Sequence, residues 1–163
     1  MTSLDAIRAA FATSDMVLQS YVSDLSDAEL LTRPGEGCNH IAWQLGHLIS
    51  SEGQLLNMLR GGSALALPEG FADKHSKEAT GCDDPSQFCT KEEYLNLYQQ
   101  ARENSLATLA QFTEEELDAE GPEPFRQMCP TVGSVAILIA THPMMHVGQF
   151  VPVRRALDKP IVI

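Results

Sequence analysis

Apolar residues recur every three or four positions along four long segments of this chain, and polar residues fill the positions between them. These segments cover residues 3–25, 39–60, 90–112 and 131–157. Apolar residues at this spacing fall on one face of an α-helix. The pattern therefore predicts four long helices, each with one side that must be buried against the others.

Capping sequences mark several of the predicted helix starts. Thr90 with Glu93 three residues later matches a capping box, in which each side chain accepts a hydrogen bond from the other residue's backbone. Residues 26–29 and 113–116 repeat this pattern and predict a short acidic helical turn after the first and third long helices. Ser3 and Asn39 are the expected N-caps of the first and second long helices.

The stretch 61–89 lacks a sustained hydrophobic period and is rich in Gly, Pro, Asp and Ser. A connection of this length inside a compact domain is unusual and is often functional. We interpret it as a crossover that covers one end of the bundle, and we expect His75 within it to be solvated. The predicted fold is all-α: an up-and-down type four-helix bundle with a long crossover between the second and third helices.

The fourth segment carries two prolines, Pro143 and Pro152. Proline removes a backbone donor and normally kinks or breaks a helix, so this helix is expected to bend at Pro143 or to end early. A strand over residues 132–140 is the alternative, because several β-branched residues lie there. Helix is favoured, since the run shows little alternation and no other segment offers a strand partner.

Composition indicates one soluble domain over residues 1–163. Hydrophobic residues make up 44% of the chain, and the net charge is −11, from 11 Lys and Arg against 22 Asp and Glu. This acidic balance argues against nucleic acid and anionic membranes as partners. No uninterrupted apolar run reaches the roughly 18 residues of a membrane span, and the first residues do not resemble a signal peptide, so the cytoplasm is expected.

The chain has four cysteines, and no two have the Cys-x-x-Cys spacing of a structural zinc site. With no secretory signal, four reduced thiols are expected rather than two disulfides. A reactive thiol is the functional alternative, and Cys38 is its best candidate because it precedes a helix start.

Histidines on two helices are the main candidates for chemistry. His142 and His146 are one turn apart on the fourth helix, and His47 lies within the apolar face of the second. If these helices are neighbours, three imidazoles can meet inside the bundle and hold one metal ion. Neutral imidazoles suit zinc, nickel, copper or ferrous iron rather than magnesium or calcium. The residues alone leave another interpretation open, since buried histidines often only satisfy backbone groups.

Three further residues are pocket candidates. Gln149 lies three residues after His146 and could orient a ligand or only pack between helices. Trp43 lies one turn before His47 and is either core or a neighbour of the site, and His40 is a candidate pocket residue or an exposed neighbour of the cap. Glu52 is turned away from His47 on the helix and is not expected to be a fourth ligand.

The block from Trp43 to Glu52, followed downstream by His142, His146 and the Gly148-Gln149 pair, resembles the DinB-like (YfiT-like) superfamily. Nearly the whole chain fits the order of elements in that family. The resemblance implies a four-helix bundle, a homodimer, and a three-histidine metal site at the matching positions His47, His142 and His146. It also implies a divalent transition metal, zinc or nickel first and then iron.

The resemblance implies, further, a metal-dependent enzyme that acts on a small molecule. Characterised relatives include thiol S-transferases, in which the metal activates a low-molecular-weight thiol, so a thiol cofactor is expected here. A metal-dependent hydrolase is one alternative, and a non-catalytic metal-binding stress-response dimer is another. No residue of this sequence is singled out as catalytic beyond the three metal ligands.

Overall fold

The four predicted long helices are present, each within three residues of its predicted limits. The computed structural model describes residues 1–163 and contains seven α-helices and no β-strand. In chain order the helices are α1 (Ser3–Val22), α2 (Asp27–Leu30), α3 (Ile41–Leu59), α4 (Phe71–Lys74), α5 (Lys91–Leu109), α6 (Glu114–Asp118) and α7 (Val132–Ala156). The strand alternative for residues 132–140 is wrong, because this stretch is the first half of α7.

Capping boxes begin three of these helices where the sequence predicted them. The caps are Ser26, Thr90 and Thr113. Each side chain accepts a hydrogen bond from the backbone N–H three residues later, and the glutamate at that position accepts one from the backbone N–H of the cap. Each such cap stabilises a helix by about 1 kcal/mol. The two short helices α2 and α6 therefore lie where the second and third boxes place them.

Two other N-caps differ from the prediction. Thr2 rather than Ser3 caps α1, in a capping box with Asp5. His40 rather than Asn39 caps α3, because its Nδ1 accepts a hydrogen bond from the backbone N–H of Trp43 at 3.0 Å. Imidazole is a rare cap, so the more common Asn was the expected one.

The buried residues form two clusters, one at each end of the bundle. One cluster joins the starts of α1 and α7 to the ends of α3 and α5, and the other joins the opposite four ends. Helices α1 and α7 therefore run in one direction, and α3 and α5 run in the other. Helix α7 packs against α1 and α3, and α5 packs against α3 and α1. The all-α four-helix bundle and its long crossover are confirmed. The helices do not alternate strictly up and down, because the crossover lets α3 and α5 run parallel.

The crossover between α3 and α5 is fixed by His75, which is 1% exposed, so the prediction of a solvated histidine is wrong. Its Nδ1–H donates to the Phe71 carbonyl and its Nε2 accepts from the Tyr94 hydroxyl, both at 2.7 Å. The imidazole lies directly on Gly46 of α3, where any Cβ would overlap the ring. Gly46 is thus required for the crossover to pack on the helix that carries His47.

Helix α7 continues through both prolines, so the expectation that it ends early is wrong. Pro143 offers no N–H to the Ile139 carbonyl, one turn earlier. The Arg102 guanidinium on α5 donates to that carbonyl instead, from Nη1 at 2.9 Å. Pro152 likewise offers no N–H to the carbonyl of Gly148, and Gly148 is exposed. Arg102 therefore replaces the backbone hydrogen bond lost at Pro143, and the carbonyl left without a backbone donor by Pro152 lies at the surface.

Helix α7 is also long and apolar enough to cross a membrane by length and composition alone. A core helix of a globular bundle passes the same test, and α7 packs against α1, α3 and α6. The structure therefore does not indicate a membrane protein. The four cysteines are unpaired, with Cys38 exposed and Cys129 buried.

Candidate metal centre

The three histidines singled out in the sequence come together between α3 and α7. One ring nitrogen from each of His47, His142 and His146 lies within 4.8 Å of the other two, and Nε2 of His142 is 3.2 Å from Nε2 of His146. With metal–nitrogen bonds of about 2.0 to 2.1 Å, neighbouring ligand atoms of a tetrahedral site are about 3.4 Å apart. The pair on α7 already has that spacing, and His47 needs only a small side-chain movement to complete a triangle.

Burial keeps these imidazoles neutral, which is the form that binds metal. Burial and the neighbouring histidines lower the pKa of His146 to about 3. Burial, with smaller effects of His47 and Arg102, lowers the pKa of His142 to about 4. The pKa of His47 is lowered as well, first by burial and then by the charge of Lys77. Each of the three rings is therefore neutral at neutral pH and has one nitrogen lone pair to offer a metal.

Gln44 fixes the orientation of His146, and sequence reasoning missed it. Nδ1–H of His146 donates to Oε1 of Gln44 at 2.9 Å, and the Gln44 amide donates in turn to the Asn39 carbonyl at 3.0 Å. With the proton held on Nδ1, the Nε2 lone pair of His146 points towards the other two histidines. Gln44 lies three residues before His47 on the same side of α3, and this spacing could have identified it.

Trp43 is both a core residue and a direct neighbour of the site. Its ring stacks on His47 with centroids 5.0 Å apart and planes within 7° of parallel. Its Nε1–H donates to the carbonyl of Ser76 in the crossover at 3.1 Å. On the next turn of α3, the Ser51 hydroxyl is 3.3 Å from Nε2 of His47. Trp43 and the crossover therefore hold the His47 ring in place.

The structure places His40 and Gln149 outside the centre. His40 is fully buried, and both its ring nitrogens are used: Nδ1 caps α3, and Nε2–H donates to the Cys82 carbonyl at 3.1 Å. It is neither exposed nor a pocket residue. Gln149 is exposed on α7. Gln149 therefore points to solvent although it lies three residues after His146, and the amide that contacts His146 belongs to the buried Gln44.

No fourth protein ligand joins the three histidines. The group of side chains close enough to share one ion consists of these three alone. Glu52, which was not expected to be a ligand, is 4% exposed and pairs with Arg102 at 3.0 Å. Its other oxygen accepts from the Ser105 hydroxyl at 2.6 Å. A metal held here would keep a coordination position free for a small molecule.

Two pockets flank the three histidines. An apolar pocket of about 250 Å³ is lined by His142 together with residues such as Leu55, Met58 and Phe125. A polar pocket of about 190 Å³ is lined by His47 together with several serines and Lys77. Each pocket thus includes one candidate metal ligand in its wall, and molecules can approach the centre from two sides.

Comparisons with known proteins agree with the fold. A family model described as the DinB superfamily matches residues 10–150. Among solved structures, YfiT from Bacillus subtilis matches with a TM-score of 0.64 and 18% sequence identity, covering 96% of this chain and 89% of that one. YfiT is described as a probable metal-dependent hydrolase with an unusual four-helix bundle topology. At this identity the likeness concerns the fold alone, and no curated protein matches.

Proposed function

Since this chain belongs to the DinB superfamily, we propose that it is a divalent-metal-dependent enzyme whose metal is held by His47, His142 and His146. The observation that carries the proposal is the convergence of three neutral imidazoles with no fourth protein ligand. Structural zinc sites are usually closed by four protein ligands, whereas catalytic sites have three and an open position. Zinc or nickel is the proposed metal, with ferrous iron next, because these ions accept imidazole nitrogen.

A metal in this setting supplies Lewis acidity, which lowers the pKa of a bound thiol or water. The protein's own residues prepare the site for it. Gln44 holds the proton of His146 on Nδ1, and Trp43 keeps the His47 ring in one plane. The apolar pocket beside His142 gives the centre a mostly hydrophobic wall on one side.

Activation of a low-molecular-weight thiol is the reaction we propose, giving a thiol S-transferase. No Asp or Glu is among the residues that line the two pockets, and the nearby Glu52 is occupied by Arg102 and Ser105. Hydrolysis on the zincin pattern uses a carboxylate as general base. A metal-bound thiol loses its proton without one. The lack of an available carboxylate therefore favours thiolate attack over hydrolysis.

Hydrolysis is the second candidate. It is favoured by the description of YfiT as a probable metal-dependent hydrolase. A three-imidazole zinc site can also lower the pKa of bound water to about 7 without a carboxylate base. A non-catalytic metal-binding dimer is the remaining alternative, and it does not account for the free coordination position. Assembly as a homodimer stays a prediction.

A thiol-transfer assay tests the proposal. Zinc- or nickel-loaded protein is mixed with each of a panel of low-molecular-weight thiols and an aryl halide, and thioether and released halide are measured. We expect metal-dependent turnover with one or more thiols, lost in His146→Ala and kept in Gln149→Ala. Ester hydrolysis without any thiol would favour the hydrolase. Stoichiometric metal without turnover in either assay would favour the non-catalytic alternative.

A further inference from the structure

The two pockets beside the histidines differ in chemistry, and together they define a class of ligand. We propose that the substrate is a small amphipathic anion, an inference that rests on the proposed metal site. Its apolar group enters the pocket beside His142, and its carboxylate or similar anionic group binds Lys77 beside His47. The group that reacts lies between the two ends, next to the three imidazoles.

The apolar pocket suits a ring or a short alkyl group. Its volume is about 250 Å³, and six of its nine lining residues are hydrophobic. Met58, Met128 and Met145 form part of its wall and are 47%, 63% and 64% exposed. Methionine side chains are flexible and polarizable, so they can close over an apolar group of variable shape. Burial of such a group would also cover apolar surface that the protein leaves in water.

The polar pocket suits an anion, although the protein as a whole is strongly acidic. Lys77 is the one Lys, Arg, Asp or Glu among its lining residues, and no carboxylate lies within salt-bridge distance of its ammonium group. The pKa of the neighbouring Glu78 is lowered chiefly by hydrogen bonds to its own backbone and to Ser76, and less by the charge of Lys77. A free cation in a pocket without acid groups attracts an anionic ligand.

Ser50 gives independent support for a ligand in this pocket. It lines the polar pocket and is 7% exposed, and its hydroxyl is the one buried side-chain polar atom of the chain without a hydrogen-bond partner. Leaving a buried hydroxyl unpaired costs about 1 to 3 kcal/mol, so such atoms call for a partner. A ligand oxygen beside Lys77 would provide one.

The two pockets lie on either side of one ridge of α3. Ser51 and Gln54 line both of them, and the Ser51 hydroxyl is also 3.3 Å from Nε2 of His47. A single molecule can therefore cross this ridge with one end in each pocket. On this path its centre passes between His142, in the wall of one pocket, and His47, in the wall of the other.

Calorimetric titration with defined probes tests the proposal. The probe is 3-phenylpropanoate, compared with its neutral amide and with propanoate, which lacks the ring. Each is titrated at low salt into metal-free and zinc-loaded protein, because the pockets exist without a metal. We expect the acid with the ring to bind tightest in both forms. Lys77→Gln should weaken binding of the acid about fivefold, which corresponds to the loss of one ion pair at an exposed site, and it should leave binding of the amide unchanged.

Matched variants separate this inference from general effects of charge and folding. Lys74→Gln removes another exposed charge of the same crossover that does not line the polar pocket, and it should leave the affinity unchanged. Ser50→Ala should weaken the acid about threefold without destabilising the free protein, since its hydroxyl has no partner to lose. Equal weakening by both lysine variants, or equal binding of acid and amide, would overturn the inference. Metal binding without a Lys77 effect would refute the ligand class alone, and a Lys77 effect without metal binding would refute the metal site alone.

Discussion

Replacement of Arg102 by lysine is predicted to weaken the helix that carries two of the metal ligands, and the weakening should depend on Pro143. Arg102 is 3% exposed, and its guanidinium donates to five acceptors from three other helices. These acceptors are the Asp15 and Glu52 carboxylates, the Ser14 hydroxyl, and the Ile139 and Ala140 carbonyls. The two carbonyls lie within one turn of His142, so Arg102 supports α7 at the metal centre.

The size of the effect follows from the bonds that lysine cannot make. A lysine keeps the charge opposite the buried Glu52 but has three donors on one atom. At least two acceptors, including a backbone carbonyl, would then lose their partner, at about 1 kcal/mol each. We therefore expect Arg102→Lys to lower the free energy of unfolding by about 2 kcal/mol. Pro143→Ala gives Ile139 a backbone partner, and in that background the same change should cost about 1 kcal/mol less.

Urea unfolding of the metal-free protein, followed by circular dichroism, measures all four members of this cycle. Pro143→Ala alone should be neutral or stabilising, because a carbonyl can accept from both Arg102 and a restored N–H. The expected result is a coupling energy of about 1 kcal/mol between the two positions. Additive changes, within about 0.3 to 0.5 kcal/mol, would refute the idea that the guanidinium replaces the bond removed by proline.

Three further predictions follow from the site and its support. Gln44→Leu should lower zinc affinity by about tenfold to a hundredfold in a chelator competition titration, and Gln44→Glu, which keeps the acceptor, should retain it. Gly46→Ala should lower the free energy of unfolding by about 1 to 3 kcal/mol in urea, because its methyl group meets the buried histidine of the crossover, whereas Gly148→Ala, which meets nothing, should not. The pKa of His142 is about 4 and that of His146 about 3 in the folded state, against about 6.5 when unfolded. The unfolded state therefore binds more protons between these values. The free energy of unfolding of metal-free protein should fall as the pH falls from about 6.5 to about 3, with a smaller slope when both histidines are replaced by asparagine.

The helices were predictable because their signals are local. Capping boxes at Ser26, Thr90 and Thr113 join residues three apart, and the apolar spacing needs only one segment at a time. The continuity of α7 through Pro143 was harder to predict, since the Ile139 carbonyl finds its partner in Arg102, far away in sequence. The relative direction of the helices was also hidden, because it depends on how far the crossover carries the chain.

At the site, the sequence identified the three histidines and missed how they are held. His142 and His146 share one helix face by spacing alone, and His47 interrupts an apolar stripe where an unpaired imidazole is costly. The contact of Gln44 with His146 exists only once α3 and α7 face each other. His75 was expected in solvent because nothing local shows that Gly46 leaves room for its ring.

Direct metal analysis tests the central claim, that three imidazoles from α3 and α7 hold one divalent ion. Protein purified with zinc or nickel is dialysed against buffer, and its metal content is measured together with that of His47→Ala, His146→Ala and His40→Asn. The last variant removes a buried histidine outside the centre and keeps a side chain that caps helices well. We expect one ion per chain in the parent protein and in His40→Asn, and little or none in the other two. Stoichiometric metal that persists in His146→Ala would contradict the account.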